Sequence, residues 1–282
     1  MSIHPLAAVS PKAKIAPDVQ IGPFCVVERD ARIAAGCILE SGSIIKHSTT
    51  LGPANRVCEG AVVGGLPQHT QMPDNPGGLV IGAGNTIREN VTIHRALEAG
   101  KFTYIGDNNL LMVNVHVAHD CRLDNQSILT NNVMLAGHVT VADRAYLSGG
   151  AAAHQFIRIG ALAMVGGQAH LVKDVPPCVT VDGLSSLVVG LNYVGLRRAG
   201  YDPDAIGQLK AAYRVIYRSG LTWSEILRRL KVEFPDGPAA VFYEFCSTTK
   251  RGITPERRQP PTATLKLHGD AENRPQIHAK AG

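Results

Sequence analysis

An aliphatic residue recurs at every sixth position through most of the first 171 residues of this chain. The series runs from Ile3 to Val63 without a failure, resumes at Ile81 and again at Ile105, and ends at Leu171. A period of six fits neither a 3.6-residue helix nor the two-residue alternation of an ordinary strand. It fits short strands joined by tight turns, three to a coil, each pointing one aliphatic side chain into a prism. The sequence therefore predicts 18-residue coils stacked at the strand spacing of about 4.8 Å.

The repeat resembles the hexapeptide repeat of left-handed parallel β-helices, so we expect a mainly β fold of that kind over residues 1–190. Two stretches interrupt it. Residues 64–80 are rich in glycine and proline and predict a loop insertion, and residues 95–103 predict a shorter loop. Long loops on a rigid scaffold often carry function, although a passive excursion is the alternative.

The character of the sequence changes after residues 176–177, two prolines that cannot donate ladder hydrogen bonds. Residues 191–252 predict a small C-terminal α-helical domain. Three helices are expected there: one from an N-cap at Asp202 to Gly220, one from Thr222 or Ser224, and one over 237–247. Residues 253–282, where proline, arginine, glutamine and threonine dominate, predict a disordered tail.

The composition excludes several classes of protein. A formal net charge of +5 on 282 residues is too mild and too scattered to indicate nucleic-acid binding. The six cysteines include no Cys-x-x-Cys pair, so neither a structural zinc site nor a disulfide framework is expected. The sequence contains no run of 18 apolar residues, so no transmembrane segment is expected. A repeat that begins at Ile3 leaves no room for a targeting segment, and we therefore expect a cytoplasmic protein.

Histidines gather on one predicted edge of the prism. In 18-residue coils, Gly137 lies one coil beyond His119 and Gln155 one coil beyond Gly137, which brings His138 and His154 to the same edge over about 10 Å. Three interpretations remain open. His119 could be a general base oriented by Asp120; His116, His119 and His138 could bind zinc; or these polar residues could simply occupy the corners between strands.

Eight segments together resemble the acyl-ACP–UDP-N-acetylglucosamine O-acyltransferases, which open lipid A biosynthesis in Gram-negative bacteria. The resemblance covers roughly residues 1–252. Hexapeptide repeats are shared by many acyltransferases, whereas the order His-x-x-His-Asp, Ala-Gly-His and His-Gln-Phe is specific. The segments are Val91–Arg95, Asn109–Met112, His116–Cys121, Leu135–His138, His154–Phe156, Met164–Gly167, Asp174–Pro177 and Gly195–Arg198.

The resemblance implies a homotrimer with active sites in the clefts between neighbouring β-helices. It implies transfer of an (R)-3-hydroxyacyl group from acyl carrier protein to the sugar 3-hydroxyl of UDP-N-acetylglucosamine, with no cofactor and no metal. His119 matches the general base, Asp120 the residue that holds its imidazole, and the N–H of Gly137 the oxyanion donor. No covalent enzyme intermediate is needed, so the cysteines have no role.

Further positions match residues that contact the substrates in the family. The substrate-binding set is Gln68, His116, His138, His154 and Gln155, with Asn192 and Arg198 near the nucleotide end and the pantetheine arm. Gly167 and Met164 match the acyl-chain groove, and glycine at 167 leaves space for an acyl chain of about 12–14 carbons. A basic face for acidic acyl carrier protein would comprise Arg197, Arg198, Lys210, Arg214 and Arg218, although Arg214 and Arg218 also fit a solvated helix face.

The chain departs from the family pattern in the 64–80 loop, where His69 replaces a common aspartate and Gln71 a common lysine. The departure leaves open an altered acceptor, such as a 3-amino sugar nucleotide, or a divergent paralogue without activity. Two other classes also stay open. One is a different hexapeptide acyltransferase, either acetyl-CoA-dependent or the N-acyltransferase of the same pathway. The other is a zinc β-helix of the γ-carbonic-anhydrase kind, whose His-x4-His spacing is absent.

Overall fold

The computed structural model describes residues 2–257 of the chain. Its strands are short, and most contain two residues. In chain order they are β1 Ser2–Ile3, β2 Ala8–Val9, β3 Lys14–Ile15, β4 Gln20–Ile21, β5 Val26–Val27, β6 Arg32–Ile33, β7 Ile38–Leu39, β8 Ile44–Ile45, β9 Thr49–Leu51, β10 Arg56–Val57, β11 Val62–Gly65, β12 Gly78–Ile81, β13 Thr86–Ile87, β14 Thr92–His94, β15 Phe102–Ile105, β16 Leu110–Leu111, β17 His116–Val117, β18 Arg122–Leu123, β19 Ile128–Leu129, β20 Met134–Leu135, β21 Thr140–Val141, β22 Tyr146–Leu147, β23 Ala152–Ala153, β24 Arg158–Ile159, β25 Met164–Val165, β26 His170–Leu171, β27 Val179–Val181 and β28 Val188–Leu191.

Up to β25, each strand pairs in parallel with the strand three places before or after it in the chain. The chain therefore winds into a left-handed β-helix with three sheets as its faces. The first sheet contains β1, β4 and their successors to β25, followed by β27 and β28. The second runs from β2 to β26 and the third from β3 to β24. The predicted register is confirmed, because His116 pairs with Met134, which in turn pairs with Ala152 one coil further on.

The core consists of the six-residue series that the sequence predicts. Residues such as Ile45, Leu111 and Leu135 are fully buried, whereas the preceding residue of each strand faces outward. Each coil therefore buries its aliphatic row against the coils above and below, and the fold is stabilised mainly by stacking.

Both insertions are shorter than predicted because their ends join the sheets. Gly64 and Gly65 belong to β11 and residues 78–80 to β12, which leaves residues 66–77 as the first loop. The second loop covers residues 95–101, because β15 already begins at Phe102. Two coils of the β-helix thus carry extra residues, and the coils that follow are regular.

The prolines at 176–177 do not end the ladder. Val175 pairs with Ile159, and β27 pairs in parallel with β25. The two residues without N–H groups fall at the corner between these pairings, where no ladder hydrogen bond is required. The last strand, β28, then turns back and pairs antiparallel with β27.

Four helices follow: α1 Tyr193–Arg198, α2 Pro203–Arg218, α3 Trp223–Glu233 and α4 Ala240–Ser247. The predicted N-cap at Asp202 is confirmed, since its Oδ1 accepts a hydrogen bond from Ala205 N at 2.7 Å. Helix α3 begins directly after Thr222, whose N–H donates to Glu225 Oε2 at 2.9 Å. The third predicted helix begins three residues later than expected, at Ala240. None of the helices within residues 2–257 is long and apolar enough to cross a membrane.

The helical region is attached to the last coil through Asp174, which is 1% exposed. Its carboxylate accepts hydrogen bonds from Arg158 N at 2.9 Å, Arg158 Nε at 3.1 Å and Thr249 Oγ1 at 2.8 Å. Residues 253–257 also pack here, because Ile253 pairs with Asp174 and residue 256 with Val188. The predicted tail is therefore wrong for these five residues, and its remainder, 258–282, lies outside the described residues.

Candidate active site

His119 lies at the corner between the second and third sheets, just after β17, and is 8% exposed. Its Nδ1 is 2.8 Å from Asp120 Oδ2. Because a carboxylate can only accept, Nδ1 carries the proton and the lone pair is on Nε2. Within residues 2–257, no protein group is hydrogen-bonded to Nε2. The pair therefore offers an oriented imidazole with its basic nitrogen available.

The shorter loop fixes the carboxylate of Asp120. Its Oδ2 also accepts a hydrogen bond from Leu97 N at 3.1 Å, and its backbone N–H donates to Thr103 Oγ1 at 2.8 Å. Asp120 has φ +59°, which turns the chain sharply at this corner. The interruption of the repeat after Arg95 thus contributes directly to the site.

Gly137 lies one coil beyond His119, directly against its imidazole. A Cβ added to Gly137 would be 2.8 Å from His119 Cε1 and 2.9 Å from Nε2, closer than real Cβ contacts. No protein acceptor within residues 2–257 receives the backbone N–H of Gly137. Glycine at this position therefore leaves room for the imidazole, and its N–H, which has no acceptor among the described residues, is available to serve as an oxyanion donor.

Replacing Gly137 by alanine should lower the rate of the reaction at this site about 100-fold without unfolding the protein. Gly137 has no left-handed backbone conformation, so the cost arises from the contact between the new methyl group and the His119 ring. A displacement of about 1 Å is enough for an effect of this size. Single-turnover rates and the thermal midpoint would be compared with Gly207→Ala, where a Cβ meets nothing within 4 Å. A rate within threefold of wild type would contradict the packing argument.

The edge that carries His119, His138 and His154, here called the histidine edge, continues along the following coils. The rings of His119 and His138 lie 5.2 Å apart, and His138 Nε2 is 3.9 Å from Asp120 Oδ2. Phe156 stacks on His138 at 4.4 Å. Burial lowers the pKa of His138, which favours its neutral form. His154 is half-buried and Gln155 exposed at the next corner, so the structure gathers these predicted residues.

His116 faces outward from β17, and its ring contacts that of a buried histidine, His94. Its Nδ1 is 2.8 Å from Thr92 Oγ1, and its ring lies 5.0 Å from that of His94. His94 Nδ1 in turn donates to the carbonyl of Leu66 at 2.6 Å, which fastens the 66–77 loop to the β-helix. Sequence reasoning missed the role of His94, although it lies within one of the matched segments.

Acid should destabilise the fold through this histidine pair. Burial lowers the pKa of both His94 and His116. A neighbouring imidazole lowers each pKa further: His119 acts on His94, and His94 acts on His116. The unfolded chain therefore binds protons first, below its ordinary histidine pKa of about 6.5. Stability is fully present above that pH and is lost as the pH falls towards the lowered folded-state values.

Thermal midpoints measured between pH 8 and pH 5 test this expectation. The wild-type midpoint should fall below about pH 6.5, and His94→Gln combined with His116→Gln should flatten the decline. The exposed His170 provides a control substitution on the same sheet. An unchanged pH dependence in the double variant would contradict the assignment.

The first loop brings two further residues to the histidine edge. The His69 ring stands edge-on to that of His119, with centroids 5.6 Å apart and an interplanar angle of 88°. Gln68 and His69 are both exposed. Gln71 donates its backbone N–H to His69 Nδ1 at 3.1 Å, so both positions at which the chain departs from the family pattern belong to one structural unit.

The remaining predicted contacts lie elsewhere on the same protomer. Asn192, Arg198 and Met164 line a cavity of about 880 Å³ on the first sheet, roofed by α1. The Asn192 amide also caps this helix, donating to Leu162 O and accepting from Gly195 N, both at 2.9 Å. One full sheet separates this cavity from the histidine edge. Apart from Gly167, the predicted site residues therefore form two groups.

Gly167 does not line that cavity. It lies exposed at the corner between the first and second sheets, where an added Cβ would be 3.3 Å from Gly149 O. Gln126 and Arg144 do line the cavity but were missed from the sequence. The Arg144 guanidinium is oriented by a 2.8 Å hydrogen bond from its Nε to Gln126 Oε1.

The predicted basic face is only partly free. Lys210, Arg214 and Arg218 line a smaller cavity of about 160 Å³ beside Tyr193. Arg218 is already paired with Glu256, at 2.8 Å. Arg197 and Arg198 are exposed in the last turn of α1.

The groups that could hold a metal at the histidine edge are His119, Asp120 and His138, whose ligand atoms lie within 4.8 Å of one another. This set differs from the predicted triple, because His116 is directed towards Thr92 and His94 instead. The six cysteines are buried and unpaired, and burial raises the pKa of the Cys121 thiol to about 12. Cys121 therefore stays protonated and is a poor nucleophile.

Comparisons with known proteins match both parts of the chain. A family model described as "Udp N-acetylglucosamine O-acyltransferase; Domain 2" matches residues 174–254, and one described as "Bacterial transferase hexapeptide (six repeats)" matches residues 12–47. The acyl-[acyl-carrier-protein]–UDP-N-acetylglucosamine O-acyltransferase of Burkholderia lata is 44% identical over 257 residues, which is 89% of this chain and 98% of the relative. The enzyme of that name from Verminephrobacter eiseniae is 42% identical over 258 residues, again covering 89% and 98%.

Solved structures give the same match. The UDP-N-acetylglucosamine O-acyltransferase of Moraxella catarrhalis superposes with a TM-score of 0.86 at 38% identity, over 90% of this chain and 100% of that one. A structure from Acinetobacter baumannii gives a TM-score of 0.86 at 37% identity, over 89% and 99%. The similarity therefore extends over both the β-helix and the helical end.

Proposed function

The chain belongs to the acyl-[acyl-carrier-protein]–UDP-N-acetylglucosamine O-acyltransferases, and from that premise we propose how its residues carry out the reaction. An (R)-3-hydroxyacyl group passes from acyl carrier protein to the 3-hydroxyl of UDP-N-acetylglucosamine, the first step of lipid A biosynthesis. The observation that carries the proposal is the His119–Asp120 pair, whose Nε2 has no hydrogen-bond partner among the described residues and lies against Gly137.

His119 acts as the general base. Its Nε2 takes the proton of the sugar 3-hydroxyl while the oxygen attacks the thioester carbonyl. The Asp120 carboxylate, 2.8 Å from Nδ1, stabilises the imidazolium that forms. The carbon–oxygen bond then forms, the carbon–sulfur bond breaks, and His119 returns the proton to the departing pantetheine thiolate.

The tetrahedral intermediate requires a donor for its oxyanion. Gly137 supplies its backbone N–H, which has no partner among the described residues. A preorganised donor of this kind contributes about 3–4 kcal/mol in comparable acyl transfers. No enzyme nucleophile, metal or cofactor takes part in this mechanism.

The two groups of residues bind different parts of the substrates. Gln68, His116, His138, His154 and Gln155 surround the reacting sugar and acyl carbonyl at the histidine edge. Asn192 and Arg198 contact the nucleotide end and the pantetheine arm in the cavity under α1, where the Arg198 fork suits phosphate. Met164 and Gly167 border the acyl chain. The basic side chains on α1 and α2 meet acidic acyl carrier protein.

We infer that these two groups share a substrate across a subunit boundary, because one sheet separates them on a single protomer. One side of a coil has six residues, at most about 20 Å of extended chain, between the histidine edge and the cavity edge. A head-to-tail interface repeated three times places the cavity edge of one copy against the histidine edge of the next. In support, the large apolar side chains of Phe102, Met134 and Phe156 are about half exposed around the histidine edge. The active form is therefore a homotrimer, which we place in the cytoplasm with its carrier-protein donor.

Transfer assays test the proposal directly. Purified protein, treated with a chelator, would be mixed with 3-hydroxyacyl carrier proteins of 10 to 16 carbons and UDP-N-acetylglucosamine. We expect a 3-O-acyl product, with the highest rate at about 12–14 carbons if Gly167 leaves the groove open. Absence of product, or activity that depends on added zinc, would contradict the assignment and favour the metal interpretation of His119, Asp120 and His138.

A further inference from the structure

Arg95 is a fully buried arginine, 1% exposed, that the mechanism above does not use. Its Nη1 donates a hydrogen bond to His47 Nδ1 at 3.1 Å, and its Nε has no partner within residues 2–257. The carboxylate that acts on its pKa belongs to Glu28, which is already bound by Lys46 Nζ at 2.8 Å. A buried charge without a carboxylate in contact costs free energy of folding, so stability alone does not explain Arg95.

The hydrogen bond to His47 requires that His47 be neutral at Nδ1. Burial lowers the pKa of His47, and the neighbouring charge of Arg95 lowers it further. The lone pair on Nδ1 therefore stays available to accept from the guanidinium. The Arg95 side chain is held at one defined place by a partner whose protonation state its own charge maintains.

Arg95 is also the first residue of the 95–101 loop, and its position sets where that loop begins. Its backbone N–H donates to Gly65 O at 2.9 Å, and the N–H of Ala96 donates to Gly78 O at 3.1 Å. The side chain adds an attachment to His47, which follows β8, two strands before β14 in the second sheet. The start of the loop is thus tied to two earlier coils.

The third residue of the loop contacts the catalytic pair. The N–H of Leu97 donates to Asp120 Oδ2 at 3.1 Å, and the same oxygen accepts from His119 Nδ1 at 2.8 Å. Leu97 is only two residues from Arg95, so a shift at residue 95 is transmitted to this N–H. A displacement of about 1 Å in a group that orients the base is enough to lower the rate about 100-fold.

We propose that Arg95 is a positioning residue: its hydrogen bond to His47 holds the N–H of Leu97 on Asp120, and Asp120 thereby keeps the His119 imidazole in its reactive orientation. The inference rests on the proposed function, because it concerns the base of that reaction. Arg95 itself is buried away from the substrates and acts only through the loop.

Arg95→Met tests this role, because methionine fills much of the space but has neither charge nor donor. We expect kcat to fall about 10–100-fold, with KM for UDP-N-acetylglucosamine within about threefold of wild type. The thermal midpoint should be unchanged or higher, since a buried charge has been removed. Arg95→Lys keeps a charge and a donor and should recover part of kcat. Arg32→Met, at an exposed position on β6, is the control and should leave all three quantities close to wild type.

The double variant Arg95→Met/Asp120→Ala shows whether the effect passes through Asp120. If it does, Arg95→Met should lower kcat by no more than about twofold once Asp120 is alanine, whereas independent effects would multiply. Hydrogen exchange of the peptide covering residues 95–101 gives a readout that does not depend on activity. We expect it to be about tenfold faster in Arg95→Met than in wild type, because Leu97 is no longer held on Asp120.

The outcomes separate the inference from the function on which it rests. Wild-type protein that transfers no acyl group would overturn the proposed function, while the exchange rates would still decide whether Arg95 holds Leu97 in place. A kcat within threefold of wild type in Arg95→Met, effects that multiply in the double variant, or unchanged exchange of the 95–101 peptide would each overturn the positioning role and leave the reaction intact. A loss of kcat only where Asp120 is present, together with faster exchange, would support it.

Discussion

Replacing His119 by alanine should slow acyl transfer by about three to four orders of magnitude while the β-helix remains folded. The variant removes Nε2 of His119, which has no hydrogen-bond partner among residues 2–257 and lies against Gly137. General base catalysis by a positioned imidazole accounts for about 10²–10⁴ in rate, and the loss also removes the acid that protonates the thiolate. Single-turnover transfer from 3-hydroxyacyl carrier protein to UDP-N-acetylglucosamine measures the effect.

His170→Ala is the matched control, because His170 is exposed on β26 of the same sheet and should leave the rate close to wild type. Added imidazole should restore part of the activity of His119→Ala by occupying the space of the missing ring. A residual rate within tenfold of wild type would show that another group takes the proton, and His138, 3.9 Å from Asp120, would be examined next.

The register of the site could be predicted from the sequence because it depends only on the number of residues in one coil. Once the coil has 18 residues, parallel stacking places Gly137 next to His119 and Gln155 beyond it, and the pairing of His116 with Met134 confirms this. Both insertions precede residue 102, so the repeat from Ile105 onward is unbroken and the spacing holds throughout the site. The contact between His119 and Gly137 follows from the same spacing.

The contribution of the loops could not be predicted in the same way. Residues 66–77 have no period, and their position depends on a hydrogen bond from a buried side chain, His94, to a backbone carbonyl, that of Leu66. The contact between the His69 and His119 rings is therefore visible only in the structure. Similarly, nothing in the sequence indicates that the N–H of Leu97 meets Asp120.

Short elements explain the other differences. Helix α1 has six residues, too few for an apolar periodicity to be recognised, although it roofs the cavity that contains Asn192 and Arg198. The prolines at 176–177 predict an end to the ladder only if they fall within a strand, and the structure places them at a corner. Residues 253–257 lack helical or strand patterning, but single pairings to Asp174 and Val188 hold them.

Asp174→Ala should lower the free energy of unfolding by about 3–5 kcal/mol, the largest effect on stability that we expect. Alanine removes the acceptor of three hydrogen bonds, two from Arg158 and one from Thr249. The Arg158 side chain, 30% exposed, would keep its charge in a place where its carboxylate partner is gone. Thermal or urea unfolding measures the loss, which corresponds to a fall in the midpoint of roughly 10 °C.

Asp182→Ala is a suitable control because Asp182 belongs to the same end of the chain but forms its ion pair, with Arg257, at the surface. Exposed pairs contribute little, so this variant should unfold close to wild type. Asp174→Asn keeps the volume and one carbonyl acceptor and should fall between the two. Equal midpoints for Asp174→Ala and Asp182→Ala would mean that the helical region is attached mainly by its apolar contacts. In that case Phe245, whose ring lies 4.2 Å from the Arg158 guanidinium carbon, would be the residue to replace.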